Sequence, residues 1–193
     1  MMQKRAYLIH GWSGSPDRDF FPWLRDRLEV SGWQVIAPCL PDADHPRRES
    51  WVPFLTELLS DGDINATIVA HSMGAQAVVQ SLASMVGREA IGRVILVAPA
   101  IGPLTGLTPE ESEMYAAWQQ APIDYERARL AAHEFVVFCS DNDPYIPLTS
   151  AQAVAEQLHA QIIVEHGMGH YSEGEQVREV PRVLEAVVRA ASE

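Results

Sequence analysis

The chain has 193 residues, 47% of them hydrophobic and 21% charged, which suits one domain with a full core and excludes a disordered chain. Its 26 acidic and 14 basic side chains give a formal net charge of −12, a field that repels nucleic acid and anionic membrane surfaces. There is no run of about 18 apolar residues to span a membrane, and the opening M-M-Q-K-R-A-Y-L-I-H-G lacks the apolar region and cleavage site of a signal peptide.

In chain order, the first strand is expected at 5–9 and leads into the loop H-G-W-S-G-S-P. Asp19 is placed to cap a helix that carries Phe21, Leu24 and Leu28 on one face and ends at Gly32. A second strand follows at 33–37, and Ser50 is placed to cap a helix with Trp51, Leu55, Leu58 and Leu59 inward. The third strand, 66–70, runs into a small-residue helix at Ser72, and the fourth lies at 93–98. Residues 101–133 then break the rhythm with Pro103, Pro109, Pro122 and a short helical piece at 110–120. That insertion is too short for a second domain but of a size to cover a site, like a small lid. A fifth strand at 134–139 precedes a helix that starts at Thr149 and buries Ala151, Val154, Ala155 and Leu158. The sixth strand, 161–165, precedes a last helix with Val180, Val183, Leu184, Val187 and Val188 inward.

Several strands are apolar on successive residues, as in a parallel sheet covered on both faces. The expected class is therefore α/β: a single domain over 1–193 with a mostly parallel six-stranded sheet. Cys39 and Cys139 show no metal or redox spacing and each follows an apolar segment. Two buried free thiols and a cytoplasmic location are expected.

The chemistry concentrates at loops that follow strands, where open parallel sheets bind ligands. In A-H-S-M-G, Ser72 stands between strand and helix, so a tight turn would push its Oγ outward beside free N–H groups of the new helix. The positions two before and two after must be small, and Ala70 and Gly74 are. An ordinary helix cap is the alternative for such a serine. A nucleophilic serine needs a base, and the base a partner. C-S-D-N-D-P-Y-I-P supplies Asp143, with Asp141 as its rival; E-H-G-M-G-H-Y supplies His170, with His166 as its rival. The D-x-x-I-P spacing favours Asp143, and the Gly167/Gly169 loop favours His170. The backbone N–H groups of Trp12 and Met73 are the natural donors to an oxyanion. No carboxylate or cysteine stands near the histidines at metal-ligand spacing, so no metal or other cofactor is expected. The substrate pocket is expected to draw on Trp12, Tyr115, Trp118, Tyr145, Met168 and Tyr171, aromatic or soft positions that core or lid packing explains equally well.

These motifs resemble the α/β hydrolases, and more narrowly the small serine hydrolases related to retinoblastoma-binding protein nine. The likeness runs through H-G-W, P-C-L-P-D-A-D-H-P with Trp51, A-H-S-M-G, L-V-A-P-A, S-D-N-D-P-Y-I-P and G-M-G-H-Y, nearly the whole chain. It implies a compact sheet without a large cap and a Ser72, Asp143, His170 triad. Ala70 departs from the usual first glycine, and Asn142 stands where a second acid is common. The expected activity is metal-free hydrolysis of a small ester or amide through an acyl-serine. A non-catalytic protein-binding module and an acyltransferase are the other readings of the same residues.

Overall fold

The computed structural model describes residues 3–85, 87 and 90–189. Six strands form one sheet: β1 (Arg5–Ile9), β2 (Gln34–Ile36), β3 (Ala66–His71), β4 (Ile91–Val97), β5 (Ala132–Ser140) and β6 (Gln161–Glu165). All neighbours are parallel, in the order β2-β1-β3-β4-β5-β6. The apolar runs explain this. Every residue of β3 is buried, as a central strand covered on both faces requires, whereas the edge strands β2 and β6 keep exposed positions.

Among the described residues seven α-helices accompany the sheet: α1 (Phe21–Val30), α2 (Arg48–Leu58), α3 (Met73–Ala83), α4 (Pro109–Gln119), α5 (Tyr125–Leu130), α6 (Leu148–Leu158) and α7 (Pro181–Val188). α1 packs against α7, while α2, α3, α5 and α6 contact one another in series. From β1 the chain crosses outward to β2, then returns past β1 to β3, and every later crossover runs toward the opposite edge. The direction reverses between β1 and β3, so their outgoing loops part and leave a crevice at their carboxyl ends.

That crevice is closed by a very near approach of backbone. A Cβ on Gly74, in the first turn of α3, would stand 2.2 Å from the carbonyl oxygen of His10. A Cβ on Gly11 would stand 2.8 Å from that of Ser72. Ala70 is fully buried between Ile9 and Leu96 and carries its methyl without displacing either strand.

Several helix starts differ from expectation. Asp19 does not cap α1; it has φ 55° and its carboxylate accepts the Glu173 N–H at 3.0 Å, a partner far away in sequence. α2 starts at Arg48, ahead of Ser50, because Trp51 is drawn into the core and donates its Nε1–H to Pro41 O at 2.7 Å. Leu58 on that helix is only half-buried. α6 begins at Leu148, so Thr149 lies inside the first turn. α5 was not evident in the sequence; Asp124 caps it by accepting the Arg127 N–H. Val188 is 40% exposed at the end of α7. Cys39 is exposed, correcting the expectation of two buried thiols: it lies in the loop after the short edge strand β2, where its neighbour Leu40 is the one turned inward. Cys139, inside β5, is buried and free.

The insertion is tied down at several points, among them Pro103 O, which accepts the Ser150 hydroxyl, and Thr105, whose hydroxyl donates to Pro144 O. Trp118 of α4 packs edge-on against Trp51 of α2, ring centroids 5.8 Å apart, and donates to Pro46 O. Tyr115 donates to the carbonyls of Ala100 and Gly102. At the other end of the sheet, buried Arg93 pairs with Glu134 and donates to the Ala186 and Arg189 carbonyls, where cationic charge meets the negative end of α7.

Because backbone oxygen cannot yield as a side chain can, Gly74→Ala should lower stability by about 1–3 kcal/mol. Urea unfolding of the two proteins measures this.

Candidate active site

A single residue joins β3 to α3. Ser72 has φ 53° and ψ −125°, a strained conformation for a residue with a side chain. The neighbouring backbone holds it there: its N–H donates to Val97 O at 3.0 Å, and its carbonyl accepts from Ala75 at 3.0 Å and Ala100 at 3.1 Å. The outcome is a hydroxyl lifted off the sheet at the positive end of α3.

The loops after β5 and β6 bring two more side chains to it. Ser72 Oγ lies 2.9 Å from His170 Nε2, and His170 Nδ1 lies 2.9 Å from Asp143 Oδ2. Asp143 Oδ1 accepts the N–H groups of Tyr145 and Ile146 at 2.8 and 3.0 Å, so both oxygens of the carboxylate are engaged. With Nδ1–H donated to the carboxylate, Nε2 is left bare to accept the serine O–H. The Asp143 side chain is 1% exposed and that of His170 12%. The rivals form a pair of their own outside: His166 Nδ1 hydrogen-bonds Asp141 Oδ2, at 94% and 38% exposure. That pairing raises the His166 pKa and lowers that of Asp141, chiefly through the hydrogen bond itself. Asn142 accepts the Gly169 N–H at 2.8 Å and the Ser140 hydroxyl. It thereby fastens the loop that carries His170.

Two other histidines went unremarked in the sequence. Each ends an apolar strand run, Y-L-I-H and T-I-V-A-H, and a polar ring so placed was the available signal. His10 Nε2 accepts the Leu40 N–H at 3.0 Å, so its proton is on Nδ1 and is donated to Gly11 O at 2.8 Å. Gly11 O also accepts the Gly14 N–H at 3.1 Å. In a trans peptide the oxygen and the following N–H point apart, so this clamp directs the Trp12 N–H away from His10. Among the described residues that N–H has no acceptor. Met73, first in α3, likewise has no acceptor within its helix. His71 is buried and donates Nε2–H to His170 O at 2.8 Å. Burial, with His170 next, lowers the His71 pKa to about 4.

A cavity of about 410 Å³ opens over Ser72 and His170. Of the residues expected to shape a pocket, Trp12 and Tyr145 line it, and so does Met73. The others do not. Tyr115 and Tyr171 are core residues whose hydroxyls are satisfied by carbonyls, with Glu165 a further partner of Tyr171. Trp118 lines a separate cavity of about 350 Å³ bounded by the insertion and α6. Met168 is partly buried against the core, its N–H bound by Ser140 Oγ. Leu104, Leu107, Ile146, Asp44 and Glu111 complete the walls instead. Asp44 and Ile146 lie within the P-C-L-P-D-A-D-H-P and S-D-N-D-P-Y-I-P motifs, whereas Leu104, Leu107 and Glu111 had no motif to mark them, because they reach the cavity only through the insertion's path. Among the described residues no group of three or more His, Cys, Asp or Glu could hold a metal ion.

The profile of the Serine hydrolase family matches residues 6–189. The chain belongs to the serine hydrolase family. It is 30% identical over 187 residues to YdeN of Bacillus subtilis (strain 168), named as a hydrolase, covering 96% of this chain and 95% of that one. To serine hydrolase RBBP9 of Rattus norvegicus it is 28% identical over 184 residues, covering 94% and 89%. The crystal structure of the B. subtilis ydeN gene product matches with a TM-score of 0.88 at 28% identity, covering 96% of this chain and 97% of that one. The serine hydrolase has the α/β-hydrolase architecture without a large cap. Among its described residues no helix is long and apolar enough to cross a membrane.

Neutral His71 makes this serine hydrolase acid-sensitive. An unfolded histidine protonates near 6.5, whereas the folded one resists until about 4. Between those values the unfolded chain binds more protons, so stability is complete above pH 6.5 and falls toward pH 4. The loss expected from His71 is up to about 3 kcal/mol. His10, its pKa also lowered by burial, adds in the same direction. Urea midpoints from pH 7 to pH 4.5 should fall steeply for wild type and less steeply for His71→Gln.

Proposed function

We propose that the protein hydrolyses small esters or amides through an acyl-serine on Ser72. The observation that carries this is the unbroken line of hydrogen bonds from Ser72 through His170 to buried Asp143, at the floor of the 410 Å³ cavity. His170 takes the serine proton as Oγ attacks the carbonyl carbon. Asp143 holds the Nδ1–H tautomer and stabilises the imidazolium that forms. The N–H groups of Trp12 and Met73 receive the oxyanion of the tetrahedral intermediate. The proton on His170 then passes to the leaving group, whose departure leaves the acyl-serine. Water enters, gives a proton to His170 and attacks; collapse returns the proton to Ser72 and frees the acid.

The walls supply a substrate class. Trp12, Leu104, Leu107 and Ile146 offer an apolar surface, and the volume suits a small acyl group. Asp44 and Glu111 line the same cavity, and among the described residues no lysine or arginine does. An acyl group with a free carboxylate would meet like charge there. Substrate is a neutral small molecule in this reading, with no nucleic acid or membrane partner and no cofactor. Cytoplasmic residence belongs to the same proposal, on the strength of two unpaired cysteines.

A fluorophosphonate probe should label wild type and leave Ser72→Ala unlabelled; equal labelling would refute the nucleophile. Asp143→Asn should lower kcat at least about a hundredfold, while Asp141→Asn stays near wild type. Steady-state rates on a p-nitrophenyl ester decide between the two aspartates. The butyrate ester should also exceed the hemisuccinate ester in kcat/KM by about tenfold or more, given like-charge repulsion in a partly desolvated cavity. Equal values would remove the role of Asp44 and Glu111.

A further inference from the structure

We infer that His71 is a positioning residue for the reaction: it ties the backbone of His170 to the strand that carries Ser72 and so sets the distance across which the proton moves. The inference rests on Ser72 and His170 acting as proposed above. The loop 166–171 is awkward to hold, since Gly167, Gly169 and Tyr171 all have positive φ, and Tyr171 has a side chain. Nearly all its fastenings come from one side. Gly167 N–H donates to Asp141, Met168 N–H to Ser140 Oγ, Gly169 N–H to Asn142, and the Tyr171 hydroxyl to Cys139 O. Each of those acceptors belongs to the carboxyl end of β5 or the residues just after it. The His170 ring is held from that side too, by Asp143 and by the edge-on ring of Tyr145.

From the nucleophile's side, besides the Ser72–His170 bond itself, His71 reaches this loop: its Nε2–H donates to His170 O at 2.8 Å. A carbonyl oxygen can only accept, so Nε2 must carry the proton and the tautomer of His71 is determined. The rings of Phe20 and Phe21 stand edge-on to His71, at 5.5 and 6.4 Å between centroids, and leave it little freedom. The two residues that must meet, 72 and 170, are thus bonded to one another by chemistry and to a common neighbour by structure. Without that second tie the loop follows β5 alone, and the 2.9 Å contact between Oγ and Nε2 depends on several intervening elements. Misplacement by about 1 Å costs reactions of this kind roughly a hundredfold. Burial also keeps His71 neutral, so it does not oppose the positive charge His170 gains during attack, 4.9 Å away between ring centroids.

The test compares His71→Leu, which removes the donor, with His71→Gln, whose amide N–H reaches the same place. Rates are referred to sites titrated by fluorophosphonate, so loss of folded protein does not count. The leucine variant should lose about tenfold or more in kcat with KM within about twofold, and the glutamine variant should recover to within about threefold of wild type. If the leucine variant does not fold, His71→Asn, whose shorter amide falls short of the carbonyl, takes its place. Wild-type kcat per titrated site without the donor, or failure of glutamine to rescue, overturns the inference. A readout independent of turnover is the downfield proton resonance of the His170–Asp143 hydrogen bond. It should be sharp in wild type and His71→Gln and exchange-broadened in His71→Leu. If wild type neither labels nor turns over, the hydrolase reading falls, and an unchanged resonance in His71→Leu would still refute the positioning by itself.

Discussion

The molecule is organised around the place where the first turn of α3 presses against the end of β1. With 2.2 Å between an imagined Gly74 Cβ and His10 O, backbone lies on backbone and nothing larger than hydrogen fits. Such an approach leaves no room for a gradual turn out of β3, so Ser72 alone must make it, at φ 53°. The same pressure brings the loop after β1 beside the serine, where a Cβ on Gly11 would run into the Ser72 Cβ. The strained hydroxyl and the unsatisfied N–H groups of Trp12 and Met73 are therefore consequences of one packing contact. The bond from His10 to Gly11 O holds the peptide that this contact places.

A second constraint acts across the sheet. β5 and β6 are adjacent and parallel, so the loops leaving them lie side by side and can be laced together. Ser140 and Asn142 supply the lacing, through bonds to the N–H groups of Met168 and Gly169. Two aspartate–histidine pairs result from that arrangement, one facing solvent and one facing the cavity. Their local chemistry is nearly the same. Burial separates them: the inner pair is shielded from water, which strengthens its hydrogen bond, while the outer pair stands in solvent.

Much of this was legible in the residues. Successive apolar residues within 66–70 and 93–98 marked strands of a parallel sheet, because a strand covered on both faces need not alternate. The 161–165 strand was found at its observed limits, and Ser72, Asp143 and His170 stand together in space as their strand-end positions suggested. Other readings failed for identifiable reasons. Asp19 and Ser50 have the chemistry of helix caps, but one is taken by the distant Glu173 N–H, and the other is overrun by a helix that Trp51 anchors earlier. Tyr115, Trp118 and Tyr171 do not line the cavity over Ser72, because their polar tips found carbonyl partners inside the protein and took their rings with them.

What the sequence determined by itself was the local order: which runs become strands, where the chain must turn, and which side chains capable of chemistry stand at the strand ends. Those follow from periodicity and from the steric demands of single residues, which act over a few positions. The burial of one aspartate–histidine pair and the exposure of the other, the walls of the cavity, and the bonds made by His10 and His71 were decided only by tertiary structure. Each depends on how far one element lies from another that is remote in the chain, and burial at such a meeting point has no expression in any short stretch of residues.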